Sequence, residues 1–474
     1  MLFTVAIGLV VACLLVPFGK FFRNNKSILL ALVPGLLFYY FLQKIPGISS
    51  GRVLFESTPW VPSLGVNLGF RLDGLSLLFA LLITGIGVLI FVYASSYLKK
   101  DRYLDRFFGY LLLFMSAMLG LVLSNNVIIL FVFWELTSIS SFFLIGFNNR
   151  DEESRRSALT ALSVTGLGGL FLLAGLIWMG SLAGSYSIGD ILNHAEAIRE
   201  NAYYPVILIL FLAGAFTKSA QFPFHFWLPG AMKAPTPVSA YLHSATMVKA
   251  GIFILARFTP ILGGTPLWQW ILMGVGGFTM VYASIVSLAK RDLKGVLAYS
   301  TISALGVLTF LLGLGTDHAV IAACVFLLAH ALYKAPLFLV TGIIDHETGT
   351  RDLTRLSGLG KALWPAALAG GLAALSSAGV PLTFGFIGKD LIYEATLHYE
   401  SAWAWYLTGI ALITNTGLVA AGFLAGIKPF TGKVREEFRD IHFPPHLLWV
   451  PPLLLAVLGL VCGLFPGWAG SHLA

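Results

Sequence analysis

From Val206 to Pro229 the sequence reads VILILFLAGAFTKSAQFPFHFWLP. Its first half is an apolar run of the kind that forms membrane-spanning helices, which need about 20 such residues. Lys218 interrupts the run, and Pro223 and Pro229 follow it. Because proline removes a backbone donor and disrupts the helical hydrogen bonds, this stretch predicts a broken membrane helix with a lysine beside the break.

The composition of the whole chain is typical of a membrane protein. Of its 474 residues, 57% are hydrophobic and 11% are charged, and the mean hydropathy is +0.85. Soluble domains carry roughly a quarter charged residues. The composition therefore excludes an ordinary soluble enzyme, a disordered protein and a small disulfide-stabilised secreted domain. The three cysteines form no CxxC pair and indicate no metal or cluster site.

Long apolar segments with few charges follow one another along the chain and predict an all-α polytopic membrane protein with about fourteen spans. Their approximate limits are 2–19, 27–43, 72–98, 107–123, 126–147, 157–181, 204–222, 237–258, 266–289, 293–315, 319–344, 362–387, 403–427 and 446–466.

The basic residues predict how the chain is oriented in the lipid bilayer. The odd-numbered loops carry 21 of the 30 lysine and arginine residues, and the even-numbered loops carry five. By the positive-inside rule, the odd-numbered loops lie in the cytoplasm and both termini lie outside. The net charge of +8 is then an orientation signal, and it indicates no nucleic-acid partner.

Two charged residues inside predicted spans are the first functional candidates, because an ion in a membrane is costly and usually functional. Glu135 is the only acid well inside a span, and its structural alternative is an ion pair that joins two helices. Lys218 lies beside the predicted break and suits a reversible proton carrier. Its structural alternative is a simple kink in the helix.

The twelfth segment has a similar pattern, since Pro381 interrupts it and Lys389 follows at its edge. Two broken segments that each carry a lysine point to a transporter with internal repeats. The alternative for Lys389 is a side chain that reaches out to the membrane surface. His330 and Lys334 are four residues apart and therefore share one helix face, which suits a proton step. The alternative for this pair is a hydrogen-bonded core histidine with a lysine that faces a cavity.

The eighth segment contributes His243 and Lys249. On a continuous helix their six-residue spacing would place them roughly 120° apart, so they would not face each other. His225 follows Lys218 within the predicted break, where a hydrogen-bonded structural role is an equal alternative. Carboxylate, lysine and histidine side chains at membrane depth are typical of a proton relay. The predicted site residues are Glu135, Lys218, His243, Lys249, His330, Lys334 and Lys389.

Four motifs resemble one known family. They are FWELTS at 133–138, TKSAQFPFHFWLP at 217–229, APTPVSAYLHSATMVKAG at 234–251 and IDHETGTRD at 344–352. They resemble the antiporter-like subunits shared by respiratory complex I and the multisubunit Mrp cation/proton antiporters, and the last motif is similar to the MrpA form of these subunits. Chains of that form continue well beyond a fourteenth helix, so the resemblance implies either a fragment or an extension that is a separate subunit.

The resemblance implies fourteen helices with two inverted five-helix repeats, each containing a broken helix. The implied divisions are 1–106 for three N-terminal helices, 107–258 and 259–430 for the repeats, and 431–474 for the last helix. It also implies an ion pair between Glu135 and Lys218 and proton-relay roles for the seven predicted site residues along a hydrated axis. Lys294 is implied as a further basic position at the start of the tenth helix.

The function implied is that of an ion-translocating subunit of a Na⁺/H⁺ antiporter in the cell membrane. Its expected partners are other hydrophobic subunits, protons, and Na⁺ or another monovalent cation. The chain is then a transporter subunit rather than an enzyme, and no cofactor is expected because no dinucleotide motif is visible. Two alternatives stay open. One is a proton-pumping subunit of a redox-driven complex, such as complex I or a membrane-bound hydrogenase, and the other is a membrane scaffold that moves no ions.

Overall fold

The computed structural model describes residues 1–22 and 26–467. Within this part of the chain, the α-helices and β-strands are α1 (Leu2–Phe18), α2 (Leu32–Leu42), α3 (Ile45–Ser49), β1 (Leu54–Val61), β2 (Val66–Leu72), α4 (Gly74–Tyr97), α5 (Leu104–Leu123), α6 (Val127–Ile145), α7 (Glu152–Ala183), α8 (Ile188–Asn193), α9 (Ala195–Glu200), α10 (Tyr204–Lys218), α11 (Trp227–Gly230), α12 (Thr236–Ser244), α13 (Met247–Leu262), α14 (Pro266–Leu288), α15 (Leu293–Leu314), α16 (Asp317–Thr348), α17 (Trp364–Ala378), α18 (Phe384–Leu397), α19 (Ala404–Gly426) and α20 (His446–Leu464).

Most of these helices suit a lipid bilayer. Twelve helical stretches in the described part of the chain have the length and apolar composition needed to cross a membrane. The predicted seventh and twelfth segments are not among them, because one contains the 15-residue α10 and the other contains α17 and α18, of 15 and 14 residues. The chain is thus a multi-pass membrane protein, as its composition predicts. The total of fourteen spans and the inverted repeats stay predictions.

The helix breaks at the two prolines are confirmed. α10 ends at Lys218, five residues before Pro223, and α17 and α18 are separated by residues 379–383, which include Pro381. A third break was not predicted, because no proline marks it. It falls at 245–246, where Thr246 has φ −129° and ψ −96°.

This third break corrects the geometry predicted for the eighth segment. His243 lies on α12 and Lys249 on α13, so the 120° separation calculated for one continuous helix does not apply.

A two-stranded antiparallel sheet is an addition to the predicted all-helical fold. β1 and β2 pair from Leu54 with Leu72 to Val61 with Val66. The strands precede α4 and fall in a loop that was predicted to lie outside the membrane. Their proline and charged residues hid them from an analysis based on long apolar runs, because strands of seven or eight residues are too short to stand out in it.

The chain forms two compact units. The first consists of Met1–Val88, Asp101–Ala234 and Thr246–Leu272. Within it, α5 is almost completely buried and packs against α1, α6 and α13, while α7 packs against α6 and α10. Gly214 permits the close approach of α10 to α7, since a Cβ atom there would lie 2.5 Å from the Cβ of Leu172.

The second unit consists of Leu89–Lys100, Pro235–Ala245 and Met273–Ala474. The 32-residue α16 forms its core and packs against α12, α15, α17, α18 and α20. It continues through Pro336 without a break. The predicted divisions at 106, 258 and 430 do not coincide with the two units, and as repeat boundaries they stay predictions.

Two basic residues near the ends of predicted spans lie inside helices. Lys294 is a buried residue of the first turn of α15, and Arg257 belongs to α13.

Candidate functional site

Glu135 lies in the middle of α6, which begins at a well-formed N-cap. The Asn126 side chain accepts hydrogen bonds from the backbone N–H groups of Ile128 and Ile129 at 2.9 and 3.3 Å. Glu135 itself is half-buried. Its Oε1 atom is buried and has no hydrogen-bond partner among the residues that the structure describes.

A glycine of the neighbouring helix makes room for this carboxylate. A Cβ atom at Gly169 on α7 would overlap Glu135 Oε1, whereas a Cβ at Gly166 would lie 3.9 Å from Oε2. The position of the carboxylate therefore depends on the absence of a side chain at residue 169.

Lys218 is fully buried and bonded to the same turn of α6 that carries Glu135. Its Nζ atom donates to the Trp134 carbonyl oxygen at 3.1 Å and to Ser138 Oγ at 2.7 Å. It also lies 4.9 Å from the centroid of the Trp134 ring, where a cation is attracted by the ring face. The ammonium group thus has polar partners although it is excluded from water.

The ion pair between Glu135 and Lys218 that the resemblance implied is wrong as a direct contact. Among the described residues, no Lys218 nitrogen lies within ion-pair distance of a Glu135 oxygen. The two groups still interact electrostatically. The backbone carbonyl and the hydroxyl compete for the ammonium donors at close range.

Side chains stabilise the broken end of α10. Trp227 Nε1 donates to the Thr217 carbonyl at 2.9 Å, and Gln221 Nε2 donates to the Ser219 carbonyl at 3.0 Å. A buried carbonyl left without a donor costs about 1–3 kcal/mol. These bonds therefore permit the helix to end beside Lys218 inside the protein.

Lys249 is the other predicted site residue of the first unit, and His225 lies in the break after α10. Lys249 is fully buried in α13, which packs closely on α10. A Cβ atom at Gly251 would lie 2.8 Å from the Cβ of Ser219. His225 is buried in the break and stacks on Phe222, with 5.7 Å between ring centroids.

Lys334 of the second unit also has a serine partner. Its Nζ atom donates to Ser300 Oγ of α15 at 2.7 Å, and that hydroxyl donates in turn to the Val296 carbonyl at 2.9 Å. His330 lies one turn away on the same helix. The Tyr333 ring contacts His330 edge-on at 5.4 Å and lies 5.9 Å from Lys334 Nζ.

His243 and Lys294 are both buried in the second unit, and the charge of Lys294 acts on His243. Lys294 also interacts electrostatically with Arg351, Asp345 and Asp292. Arg351 forms ion pairs with these two aspartates at 3.5 and 3.0 Å. They line a polar recess of about 440 Å³ at the end of the unit predicted to face the cytoplasm.

Lys389 points into the protein. It is buried on α18, and its Nζ atom donates at 3.3 Å to the carbonyl of Ala378, the last residue of α17. The side chain therefore spans the helix break, and the alternative in which it reaches the membrane surface is wrong. Gly379 has φ +74°, and a Cβ atom there would lie 2.8 Å from Lys389 Cδ.

Ser138 and Ser300 are the polar partners that the sequence interpretation missed. Each accepts a bond from a buried ammonium at 2.7 Å. The available signal was a hydroxyl residue inside an apolar span. Serine is too common in membrane helices for that signal to single out these two positions.

An ion-pair cluster anchors α13 on the side of the protein predicted to face outward. Arg257 donates two bonds to the Asp73 carboxylate, at 2.5 and 2.8 Å, and one to Ser76 Oγ at 2.7 Å. Burial alone would raise the pKa of Asp73, but the hydrogen bond and charge of Arg257 hold it well below its usual value. The cluster joins the start of α4 to the helix that carries Lys249.

The buried lysines have surroundings that suit proton exchange. Among residues 1–22 and 26–467, no three His, Cys, Asp or Glu side chains are grouped as a metal site requires. In contrast, Lys218, Lys334 and Lys389 each place an ammonium beside an oxygen acceptor inside the protein. Such buried lysine side chains can release a proton and take one up again.

Comparisons with known proteins give a consistent result. A family model described as "NADH:quinone oxidoreductase/Mrp antiporter, TM" matches residues 124–414. A second model, described as "NADH-Ubiquinone oxidoreductase (complex I), chain 5 N-terminus", matches residues 60–108.

Individual relatives are longer than this chain. The A subunit of the Na⁺/H⁺ antiporter of Alkalihalophilus pseudofirmus is 43% identical over 484 residues, which cover 96% of this chain and 60% of that protein. A probable A/B subunit of the K⁺/H⁺ antiporter of Rhizobium meliloti is 46% identical over 426 residues, covering 89% of this chain and 42% of that protein. The structure of the Mrp complex from Dietzia sp. contains a chain that is 36% identical, with a TM-score of 0.91, and the match covers 100% of this chain and 51% of that one.

Proposed function

Because the chain belongs to the NADH:quinone oxidoreductase/Mrp antiporter family of membrane proteins, we propose that it is an ion-translocating subunit of a multisubunit Na⁺/H⁺ antiporter. The observation that carries the proposal is the buried ammonium of Lys218, bonded to Trp134 and Ser138 on either side of Glu135. The chain spans 60% of the length of the Na⁺/H⁺ antiporter protein of Alkalihalophilus pseudofirmus, so the activity of that complete relative is proposed for it.

Proton exchange in the first unit would centre on Lys218. With a proton bound, Nζ donates to Ser138 Oγ, whose own hydroxyl is oriented toward the Trp134 carbonyl at 3.3 Å. After proton release, Nζ is an acceptor, and the hydroxyl can rotate and donate to it. A change in the charge of Glu135 would alter the occupancy of Lys218 through their electrostatic interaction. Lys249, on the adjacent α13, is the next proposed carrier.

The second unit has its own set of proposed carriers. Lys334 is held by Ser300 and lies one turn from His330, while Lys389 is held by a backbone carbonyl across the α17–α18 break. His243 interacts electrostatically with Lys294, which in turn interacts with Arg351, Asp345 and Asp292 of the polar recess. We assign all of these residues to proton movement and none to covalent catalysis, so the chain is proposed to be a transporter subunit.

The proposal includes a setting for the chain. Its partners would be other hydrophobic subunits of one complex in the cell membrane, together with protons and Na⁺ or another monovalent cation. Both termini would face outward, because the loops rich in lysine and arginine are drawn to the cytoplasmic side.

The test compares E135Q and K218M with wild type in everted vesicles that contain the assembled complex. Fluorescence of a pH-sensitive dye reports Na⁺-driven proton movement, and co-purified subunits report assembly. Both variants are expected to lose at least about tenfold in antiport while assembly is kept. K361M, which removes an exposed lysine, is the control and should resemble wild type.

Two outcomes would contradict the proposal. Full antiport in E135Q and K218M would exclude both residues as carriers. Reduced assembly with an unchanged rate per assembled complex would instead favour a scaffold that moves no ions.

A redox-driven proton pump is the second candidate function, favoured by the match of residues 60–108 to a model of a complex I chain. Purification from native membranes, followed by mass spectrometry of the particle, separates the two functions. Flavin and iron–sulfur subunits would indicate the redox pump. Small hydrophobic partners without redox groups, together with Na⁺-driven exchange, would indicate the antiporter.

A further inference from the structure

A pocket of about 390 Å³ lies entirely within the first unit, at the end of α5, α6 and α7 that is predicted to face the cytoplasm. We call it the aromatic pocket. Its aromatic residues include Tyr110, Phe143 and Phe147, and its basic residues are Arg106 and Arg155. None of these residues belongs to the proposed proton relay.

The walls of the aromatic pocket suit the boundary between lipid and water. Tyr110 and Phe143 stack with 4.9 Å between ring centroids. Phe143 is 39% exposed, and Leu159, which also lines the pocket, is 55% exposed. Aromatic side chains concentrate at this depth, and the exposed apolar surface is available to acyl chains.

The two arginines are held in place without neutralisation. Arg155 Nη1 donates to the Asn149 carbonyl at 2.7 Å, and the Arg106 guanidinium lies 4.9 Å from the Tyr103 ring centroid. Among the described ion pairs, neither arginine has a carboxylate partner. Their remaining N–H groups are therefore available, and a guanidinium binds phosphate oxygens in a two-pronged manner.

The polar recess of the second unit contains, for comparison, an arginine whose charge is neutralised by carboxylates. Arg351 there is paired with Asp292 and Asp345, and Asp352 adds a third carboxylate to the lining. A phosphate would be repelled by these aspartates. The aromatic pocket has no aspartate or glutamate among its lining residues.

We infer that the aromatic pocket binds the phosphate group of an anionic phospholipid from the cytoplasmic leaflet, with Arg106 and Arg155 on the phosphate and the acyl chains along Phe143 and Leu159. Positive charge immediately cytoplasmic to membrane helices attracts anionic lipid. Free phosphate would use the same arginines but gains nothing from the apolar walls, so the lipid is the better fit.

The test uses the assembled complex in phosphatidylcholine nanodiscs, with phosphatidylglycerol added in increasing amounts. Native mass spectrometry counts the phosphatidylglycerol retained on this chain. Inorganic phosphate and diacylglycerol are added in separate series, because they supply only the charge and only the acyl chains. R106Q/R155Q removes both arginines of the pocket. R156Q, the control, removes an exposed arginine that lies beside Arg155 on α7 and does not line the pocket.

Wild type and R156Q are expected to retain phosphatidylglycerol equally, and R106Q/R155Q to bind it at least about tenfold more weakly. R106K/R155K keeps the charge without the two-pronged geometry and should lie between them, which gives a second reading if the glutamine variant misfolds. Equal retention by R106Q/R155Q and R156Q would overturn the inference. Displacement of the lipid by millimolar phosphate would also overturn it, since the site would then serve free phosphate.

Discussion

Ser138 and Ser300 each accept a hydrogen bond from a lysine inside a membrane span. Loss of an acceptor for a buried ammonium costs about 1.5–3 kcal/mol, which disfavours the protonated lysine by roughly tenfold or more. In S138A and in S300A, the pH at which antiport falls to half its maximum is therefore expected to move lower by about one unit. Rates in everted vesicles across a pH series would measure this shift.

Ser141 supplies a matched control for Ser138 on the same helix. Its hydroxyl donates to the Ser138 carbonyl at 2.9 Å and has no lysine partner among the described hydrogen bonds. S141A should keep the wild-type pH profile, and S138T should restore it because the hydroxyl acceptor is retained. Identical profiles for S138A and S141A would remove Ser138 from the proposed relay.

Gly169 provides a test of Glu135 that leaves the carboxylate itself intact. A methyl group at residue 169 would overlap Oε1, whereas one at Gly166 meets Oε2 at an ordinary 3.9 Å. G169A should therefore displace the carboxylate and lower antiport by about tenfold or more, since a small misplacement of a reacting group is costly. G166A should retain the wild-type rate. If both variants transport equally well, the position of Glu135 is not critical.

The ionisable candidates could be predicted because a charge in an apolar run is conspicuous. Lys218, Lys334 and Lys389 are all buried, each with an oxygen partner. Those partners were beyond sequence reasoning. One is the carbonyl of Ala378, which no side-chain pattern marks, and the others are serines. The expected direct ion pair between Glu135 and Lys218 is not formed, because the Lys218 ammonium donates its hydrogen bonds to nearer oxygens on α6.

At the scale of elements, the Asp73–Arg257 cluster links α4 to α13 and gives a pH-dependent prediction. Removing one partner of a buried pair costs about 3 kcal/mol, so D73N should lower the melting temperature at neutral pH. Because the folded pKa of Asp73 lies below the unfolded value of about 3.9, the stabilisation is complete above that value. It is lost as the pH falls through the folded pKa.

The melting difference between wild type and D73N should therefore stay constant from pH 7 to about 5 and narrow as the pH is lowered from about 4 to about 2. Thermal unfolding in detergent would measure it. D190N alters an exposed carboxylate that accepts a bond from Ser185 at 2.6 Å, and it should have little effect. A difference that stays constant below about pH 4 as well would show that Asp73 stabilises the protein without its charge.

The break between α17 and α18 depends on Gly379. Its φ of +74° is costly for other residues, by about 1 kcal/mol or more, and a Cβ atom there would press on Lys389. G379A should lower both the melting temperature and the antiport rate. G371A changes a glycine of α17 that has open space around it and should do neither. A G379A protein with a lowered melting temperature but a wild-type antiport rate would show that transport through Lys389 does not depend on the geometry of this break.

Some features of the fold are marked in the sequence by particular residues, and others are not. Prolines predicted the breaks after α10 and α17, since they remove helical donors. The break at 245–246 has no proline, and it arises where Thr246 leaves the helical region of the backbone. The β1–β2 hairpin was not predicted because its strands are short and contain polar residues. Tertiary packing determines such features, and a single sequence does not display it.

For the molecule as a whole, the family and the helical membrane architecture could be predicted from motifs and composition, and both are confirmed. The division into two compact units could not. Each unit combines distant stretches of the chain, and two of the five boundaries fall inside α4 and α14. A helix shared by two units shows no change in its apolar pattern where the boundary falls.

The orientation of the chain rests on 21 basic residues in the odd-numbered loops against five in the even-numbered loops. In a variant whose three native cysteines are replaced by serine, A197C lies at an exposed position of α9, in a connection predicted outside. V434C lies at an exposed position of a loop predicted inside. A membrane-impermeant maleimide should label A197C in intact cells and V434C only after the cells are opened. The reverse labelling result would show that the predicted orientation is wrong. The aromatic pocket would then face the leaflet opposite to the one that supplies most anionic lipid.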